Sequence, residues 1–250
     1  MADSKSQMTR FATIFAGGTL LSRMLGLVRD MFIAALIPNA GRDIFLFAFK
    51  LPNMLRDMLG EGAVNAAFVP VLSEAKLEKD SAEYHRLIGG LMSAMAIIFL
   101  LITLLGIAFM PLVADAIQGL NHFMNADAKA IGDLDHAVLV MRWTFPYLFL
   151  IGMAVFCMAP LFVAKHYGTP SWSPVLLNIA LIACCYFLRD TFDDPVWALV
   201  LGVWIGGIAQ WIVLTIALWR KVGFVLPNAT IFSPKVRHAF YLLLPVIFGQ

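Results

Sequence analysis

The stretch VWALVLGVWIGGIAQWIVLTIALW, residues 196–219, contains no Lys, Arg, Asp or Glu. An α-helix rises about 1.5 Å per residue, so a run of this length can cross the roughly 30 Å hydrocarbon layer of a bilayer. A helix that is apolar on every side is buried in a large core or spans a membrane. This stretch therefore predicts a transmembrane helix.

The composition of the whole chain agrees with a membrane protein. Its 250 residues are 61% hydrophobic and 14% charged, and the mean hydropathy is +0.83. A soluble domain is usually close to half apolar and a quarter charged. The net charge of +2 leaves no polybasic block, which argues against a nucleic-acid partner. The five histidines are scattered singly, so the sequence predicts no metal site and no cofactor.

Apolar runs of about 20 residues predict an all-α, polytopic transmembrane helix bundle with about six complete spans. The predicted spans cover residues 11–37, 44–72, 87–113, 138–163, 173–188 and 196–219. A further run, residues 240–250, is too short to cross and predicts the start of a seventh helix in a longer protein. We therefore expect a transmembrane lobe over residues 1–219, followed by a cytoplasmic linker over residues 220–239.

The distribution of Lys and Arg predicts the orientation of the bundle. Ten of these residues lie at one set of predicted helix ends. They are Lys5, Arg10, Lys76, Lys79, Arg86, Lys165, Arg220, Lys221, Lys235 and Arg237. The opposite ends carry only Arg42, Lys129 and Arg189. Positive residues accumulate on the cytoplasmic side, so we expect a multi-pass protein with a cytoplasmic N-terminus.

The first predicted span carries charges where a bilayer makes them costly. Ser22, Arg23, Arg29 and Asp30 fall, with Gly26, on one arc of the helix. One Arg at the centre of a span costs roughly 2.5–3.5 kcal/mol, and Leu or Phe returns only about 0.3–0.6 kcal/mol. The arc therefore predicts a face that lines a cavity. Two other interpretations stay open: a local ion pair that holds the bundle together, and a position near the outer interface where snorkelling lowers the cost.

The second predicted span carries a similar polar stripe. Lys50, Asn53, Asp57 and Glu61 follow one another at i, i+3, i+7 and i+11, and Arg56 lies about 100° from Asp57. Helix-weakening residues accompany the stripe, as expected where irregular backbone lines a cavity. They are Pro52, Gly60 and Gly62. The alternative is an amphipathic cytoplasmic helix.

Three of these polar residues are arginines, and arginine is the preferred protein partner for phosphate because its planar fork donates two parallel hydrogen bonds. The arginines Arg23, Arg29 and Arg56 therefore favour an anionic, phosphorylated ligand. A proton relay or a structural ion-pair network could use the same residues. Asn178 in the fifth span is interpreted as an interhelical hydrogen bond. The sequence contains no nucleophile–base set and no phosphate-binding loop. It therefore does not predict an enzyme.

The polar positions within the first two spans resemble a known family. The segments Ser22-Arg23-Met24-Leu25-Gly26-Leu27-Val28-Arg29-Asp30 and Phe47-Ala48-Phe49-Lys50-Leu51-Pro52-Asn53-Met54-Leu55-Arg56 are similar to those of the MurJ (MviN) lipid II flippases. Asp43, Glu61-Gly62-Ala63 and Pro174-Val175-Leu176-Leu177-Asn178-Ile179 add to the resemblance, which covers essentially the whole chain.

The resemblance implies the N-terminal lobe of a fourteen-helix transporter of the multidrug/oligosaccharidyl-lipid/polysaccharide (MOP) exporter superfamily. The implied partners are lipid II, the membrane lipids and the C-terminal lobe of the same protein, and the implied location is the bacterial inner membrane. Cavity arginines carry over to Arg23, Arg29 and Arg56, and acidic residues to Asp43 and Glu61. Asp57 departs from relatives that have a basic residue there. A coupling-cation site would lie beyond the residues given.

Three rival functions remain open from the sequence. The first is a different transporter of the same superfamily, such as a polysaccharide-lipid flippase or a drug/cation antiporter. The second is a channel or proton-relay subunit, and the third is a membrane scaffold whose charged helices only pair with partners.

Overall fold

The computed structural model describes residues 2–58, 64–78, 80–124 and 133–248, and the described residues contain helices and no strand. The all-α fold class is therefore confirmed. The helices are α1 (Ala2–Leu36), α2 (Asn39–Met58), α3 (Val64–Leu77), α4 (Ser81–Ala108), α5 (Met110–Met124), α6 (Leu134–Thr144), α7 (Tyr147–Val163), α8 (Gly168–Leu188), α9 (Val196–Lys221) and α10 (Pro234–Phe248). Short 3₁₀ turns follow α8 and precede α10.

Four helical segments in the described ranges are long and apolar enough to cross a membrane. They are Ser81–Ala108, Leu134–Val163, Gly168–Thr191 and Val196–Lys221. These segments coincide with the third to sixth predicted spans. The helix α1 has 35 residues, ample length for a span, but its second half carries Arg23, Arg29 and Asp30. Crossing by the first two predicted spans stays a prediction.

Several helix boundaries differ from the predicted ones; α10, for example, begins at Pro234 instead of residue 240. The first helix begins at Ala2, well before residue 11. The second predicted span is divided between α2 and α3, and the residues between them, Glu61 included, lie outside the described ranges. The third ends at Ala108 instead of residue 113, because Pro111 has no backbone N–H with which to continue α4.

The fourth predicted span consists of two consecutive helices. Its helix α6 ends at Thr144 and α7 begins at Tyr147, because Pro146 cannot donate a backbone hydrogen bond. Phe145 lies between them and packs against Gly106 of α4, where an added Cβ would overlap its ring. A glycine in α4 therefore makes room for the Phe145 ring.

The packing directions alternate as a multi-pass bundle requires. Gly18 of α1 lies against Ser171 of α8, and the Cys185 thiol of α8 lies 3.9 Å from the Phe32 carbonyl of α1, so these two helices run parallel. Gly202 and Gly206 of α9 pack on Leu181 and Leu177 of α8, so that pair runs antiparallel. The first and fifth predicted spans thus point the same way and the sixth points back.

The segment between α9 and α10 is docked onto α4. The Asn228 amide donates to the Arg86 carbonyl at 2.8 Å, and the Asn228 backbone N–H donates to Ser93 Oγ at 2.8 Å. Gly89 and Gly90 allow this close approach, since a Cβ on either would lie under 3 Å from the segment. The predicted linker is therefore held against the start of the third span over much of its length.

Candidate anion-binding face of the first helix

The Arg29 side chain is fixed from two helices. Its Nε and one terminal nitrogen contact Asp30 Oδ1 at 2.9 and 2.8 Å, and the other terminal nitrogen donates to Asn178 Oδ1 at 3.0 Å. Asn178 in turn donates through Nδ2 to the Ser22 carbonyl at 3.0 Å. The amide therefore ties a guanidinium and a backbone carbonyl of α1 to α8.

Asn178 places this cluster deep in the bundle. It is 5% exposed and lies at the middle of α8, ten residues from each end of Gly168–Leu188. At about 1.5 Å per residue, the nearer helix end is about 15 Å away. The Arg29 guanidinium is therefore turned toward the middle of α8, while Arg29 itself lies seven residues before the end of α1 at Leu36, so its depth in a bilayer stays a prediction.

The Arg29 guanidinium keeps donors for a ligand. An Arg side chain has five N–H groups, and the contacts with Asp30 and Asn178 take three of them. The Arg29 side chain is 21% exposed and the Asp30 side chain 57% exposed, so the pair is open on one side. The ion pair with Asp30 is the local neutralisation that the sequence allowed, and it leaves two N–H groups among the described residues for an anion.

The rest of α1 separates into a polar and an apolar exposed strip. Arg23 is exposed on the polar arc, beside the half-buried Ser22. Next to this arc runs a stripe of exposed apolar side chains, each about 60% exposed. It consists of Leu20, Met24, Leu27 and Met31. The helix therefore packs on α8 with one face. A charged strip and an apolar strip of α1 are not covered by the described part of the chain.

The helix α2 presents the second polar stripe. Asp43 and Lys50 are exposed and Asn53 is half-buried, whereas the opposite face buries Phe45 and Phe49. Arg56 is half-buried in the last turn, and the Nε of Arg42 lies 3.8 Å from Asp43 Oδ1. Of the predicted stripe, Lys50 is therefore exposed and Asn53 is partly exposed, whereas the side chains of Asp57 and Glu61 lie outside the described residues.

The structure brings only part of the predicted site together. Arg29, Asp30 and Ser22 form one cluster, but α1 packs mainly on α8 and α2 mainly on α6, so the two polar helices touch each other only slightly. The side chains of Asp57 and Glu61 lie outside the described residues. Among the described residues, no group of three His, Cys, Asp or Glu side chains could hold a metal ion.

Asn178 is the site residue whose role the sequence analysis understated. It was interpreted as a structural hydrogen bond between helices, and it does make one with Ser22. It also holds the Arg29 guanidinium. A single amide in an apolar run gives no signal of its partner, although its place at the centre of the fifth span marked it as buried.

Comparison with known proteins gives a consistent result. The family model described as "Lipid II flippase MurJ" matches residues 33–250. A probable lipid II flippase MurJ of Haemophilus influenzae is 38% identical over 92% of this chain and 46% of its own length. The Vibrio cholerae relative of the same description is 32% identical over 97% of this chain and 47% of its own length. The chain thus spans about half the length of the curated relatives it matches.

Two solved structures share the fold. One is a lipid II flippase MurJ in an inward closed conformation, with a TM-score of 0.70 and 22% identity over 94% of this chain and 48% of its own length. The other is a MOP superfamily transporter from Pyrococcus furiosus, with a TM-score of 0.60 and 16% identity over 98% of this chain and 52% of its own length. Its published description attributes to it a binding pocket of reverse polarity that suggests a different function.

Proposed function

Because this chain belongs to the lipid II flippase MurJ family, we propose that it forms one lobe of a transporter that moves lipid II from the inner to the outer leaflet of the bacterial cytoplasmic membrane. The activity belongs to the whole protein, in which this lobe meets a second one across a central cavity. The N-terminus lies in the cytoplasm, as the Lys and Arg distribution predicts.

The observation that supports this proposal is the guanidinium of Arg29 at mid-depth of the bundle. A charge held there costs several kcal/mol unless it faces protein or water. Asp30 and Asn178 hold it in place and leave two of its N–H groups for a ligand. Remaining N–H groups on a fixed guanidinium suit the oxygens of a pyrophosphate.

The remaining polar residues take supporting roles in this proposal. Arg23 adds a second guanidinium on the exposed side of α1, and Arg56 and Lys50 contribute charge from α2. Asp30 neutralises Arg29 in the empty cavity and exchanges its partner for phosphate when the substrate arrives. Ser22, Asn53, Asp43, Asp57 and Glu61 complete the polar lining of the cavity.

The sign of the charge on this face is what favours lipid II over another substrate. The same fold occurs in a transporter whose described pocket has the reverse polarity, so the fold alone does not select the cargo. Arg23 and Arg29 on α1 favour an anion, whereas a drug/cation antiporter needs a pocket that attracts cations. Alternating access also requires that the substrate bind one conformation better than the other, and a pyrophosphate shared between two lobes provides such a difference.

The test is substitution of Arg29 in the full-length protein, with labelled lipid II translocation in proteoliposomes as the measurement. Arg29→Ala should abolish translocation, and Arg29→Lys should restore only part of it, because an ammonium cannot donate the parallel pair. Arg189→Ala is the matched control: Arg189 also pairs with the next residue, Asp190, but at the end of α8.

The outcome separates the rival functions. If Arg29 has only a structural role, Arg29→Ala loses transport because the protein unfolds at a lower temperature. In that case Arg29→Met restores both the melting temperature and the transport. Ion conductance without lipid movement would indicate a channel. Full translocation by both Arg29→Ala and Arg23→Ala would contradict the proposal.

A further inference from the structure

The segment between α9 and α10, residues 222–233, contains no Lys, Arg, Asp or Glu. Cations stand close to both of its ends: Arg220 and Lys221 close α9, and Lys235 lies in the first turn of α10. Connections that run through water are usually polar. An uncharged stretch between cations instead suits a chain at the boundary between lipid headgroups and acyl chains, where the flanking cations reach the headgroups.

The exposed side chains of this α9–α10 segment are apolar. Phe232 is 81% exposed, Phe224 65% and Leu226 56%. Pro227 and Ala229 between them are exposed as well. Apolar side chains that cluster on a surface mark a site of contact with a protein or a membrane. The outer side of the segment therefore calls for an apolar partner.

The polar groups of the segment are paired within the protein. The Asn228 side-chain amide donates to the Arg86 carbonyl of α4 at 2.8 Å, and Asn228 Oδ1 accepts the Thr230 backbone N–H at 3.0 Å. The Val225 carbonyl accepts a hydrogen bond from Trp219 Nε1 at 3.2 Å. A chain without regular secondary structure can approach lipid only where its backbone and amide groups find such partners.

The face of α4 that carries the segment continues as an exposed apolar surface. Gly89 and Ser93 of α4 contact Asn228. At 3.6 residues per turn, Ile97, Leu100 and Leu104 fall with them in an arc of about 80°. These three side chains are about half exposed, and α4 is one of the helices long and apolar enough to cross a membrane. The segment therefore covers the first part of a surface that faces lipid farther along the helix.

The place of α4 in the bundle distinguishes lipid from a second lobe as the partner. The helix α1 packs on α8, α8 on α9, α9 on α7 and α7 on α4. The helix α4 thus stands apart from the face of α1 on which the proposed cavity lies. A second lobe that meets this one across that cavity leaves the outer surface of α4 and of the segment to lipid.

We propose that the α9–α10 segment is seated in the membrane interface at the lysine-rich end of the bundle, with Phe224, Leu226 and Phe232 in contact with lipid. The partner is the lipid surface, and the segment is not a linker surrounded by water. Because Asn228 ties the segment to α4, this contact also fixes the depth at which α10 begins. The inference depends on the placement of the bundle in a membrane and not on the substrate that it moves.

The test is spin labelling of single-cysteine variants of the full-length protein in lipid vesicles. Collisions of the label with oxygen, which is apolar and concentrates in lipid, are compared with collisions with a water-soluble nickel chelate. Phe232→Cys and Leu226→Cys carry the label in the segment. Ile97→Cys is the lipid reference on the open face of α4. Ala82→Cys is the water reference, because Ala82 is exposed in the first turn of α4 beside the exposed Glu83.

The proposal expects the ratio of oxygen to nickel collisions at Phe232→Cys and Leu226→Cys to be several-fold above that at Ala82→Cys and close to that at Ile97→Cys. A ratio equal to that at Ala82→Cys would place the segment in water and overturn the proposal. Few collisions with either reagent would show that protein covers the segment, either a second lobe or a second copy, and would overturn it as well.

A third position guards against a local effect of the label. Phe224→Cys lies at the other end of the segment, and its side chain is also mostly exposed, so the substitution removes few contacts within the protein. The melting temperature of each labelled variant is compared with that of the unsubstituted protein. Phe224→Cys replaces any position whose label lowers it, and the same two collision ratios then decide the outcome.

Discussion

The helix α8 packs against α9 through glycine and leucine, whereas it packs against α1 through an amide, a carbonyl and a guanidinium. On the α9 side, a Cβ at Gly206 would lie 2.8 Å from the Leu177 Cα. On the α1 side, a Cβ at Gly26 would meet only the Asn178 amide, at 3.9 Å. Around Gly206 the α8–α9 contact is therefore a close approach of two backbones, whereas around Gly26 the α1–α8 contact leaves room for polar side chains.

The difference indicates how one helix serves both stability and function. Helix association in lipid depends on close packing, because lipid tails are as apolar as leucine and give no hydrophobic driving force. The α8–α9 contact uses that packing and holds no charge. The α1–α8 contact combines a close approach at Gly18 with a wider region at Gly26, and the Arg29 side chain and the Asn178 amide meet beside that wider region.

The largest effect on stability is expected from Gly206→Val in the α8–α9 contact. The added side chain would overlap the backbone of Leu177 and force the two helices apart, at a cost of about 3 kcal/mol. The measurement is the thermal unfolding temperature of the full-length protein in detergent. Gly17→Val is the control, because nothing lies within 4 Å of a Cβ at Gly17. Equal melting temperatures for the two variants would contradict the close-packed description of this contact.

A smaller effect is expected from Gly18→Ala, at a tight point of the α1–α8 contact. A Cβ there would lie 2.7 Å from the Ser171 carbonyl oxygen, a backbone atom that cannot rotate away. We expect a loss of about 2 kcal/mol relative to Gly17→Ala, which gains helix propensity without a clash. The unfolding temperatures of these two neighbouring variants make the comparison. A Gly18→Ala protein as stable as Gly17→Ala would mean that α1 slides freely along α8.

The sequence predicted the helical class and four of the spans because these depend on the length and polarity of apolar runs. The run over residues 196–219 is an example: it became α9, which ends two residues later at Lys221. The second predicted span was treated as one helix weakened at Gly60 and Gly62, and the residues between the end of α2 and the start of α3 lie outside the described ranges. A run of apolar residues reflects composition and does not show where a helix ends.

The candidate site was predictable in its residue types and not in its arrangement. The charges of Arg29 and Asp30 are visible in the sequence because they interrupt an apolar run, and the pair they form was one of the alternatives left open. The role of Asn178 required knowledge that α8 lies beside α1, more than a hundred residues away in the chain. Arg56 and Lys50 were grouped with the first helix by charge alone, whereas α2 packs on α6 instead.

The smallest effect on stability, and the most informative about function, is expected from Asn178→Leu. The substitution keeps most of the volume and removes the bonds to Arg29 and the Ser22 carbonyl, at a cost of about 1 kcal/mol for a hydrogen bond between helices in a membrane. Lipid II translocation should fall far more than the unfolding temperature, because Arg29 loses the group that fixes its orientation. The Arg29→Lys/Asn178→Leu double variant completes the cycle, because Arg29→Lys is expected to keep part of the translocation. If the two residues act as one unit, the double variant transports no worse than Arg29→Lys alone, whereas additive losses would show that Asn178 acts elsewhere.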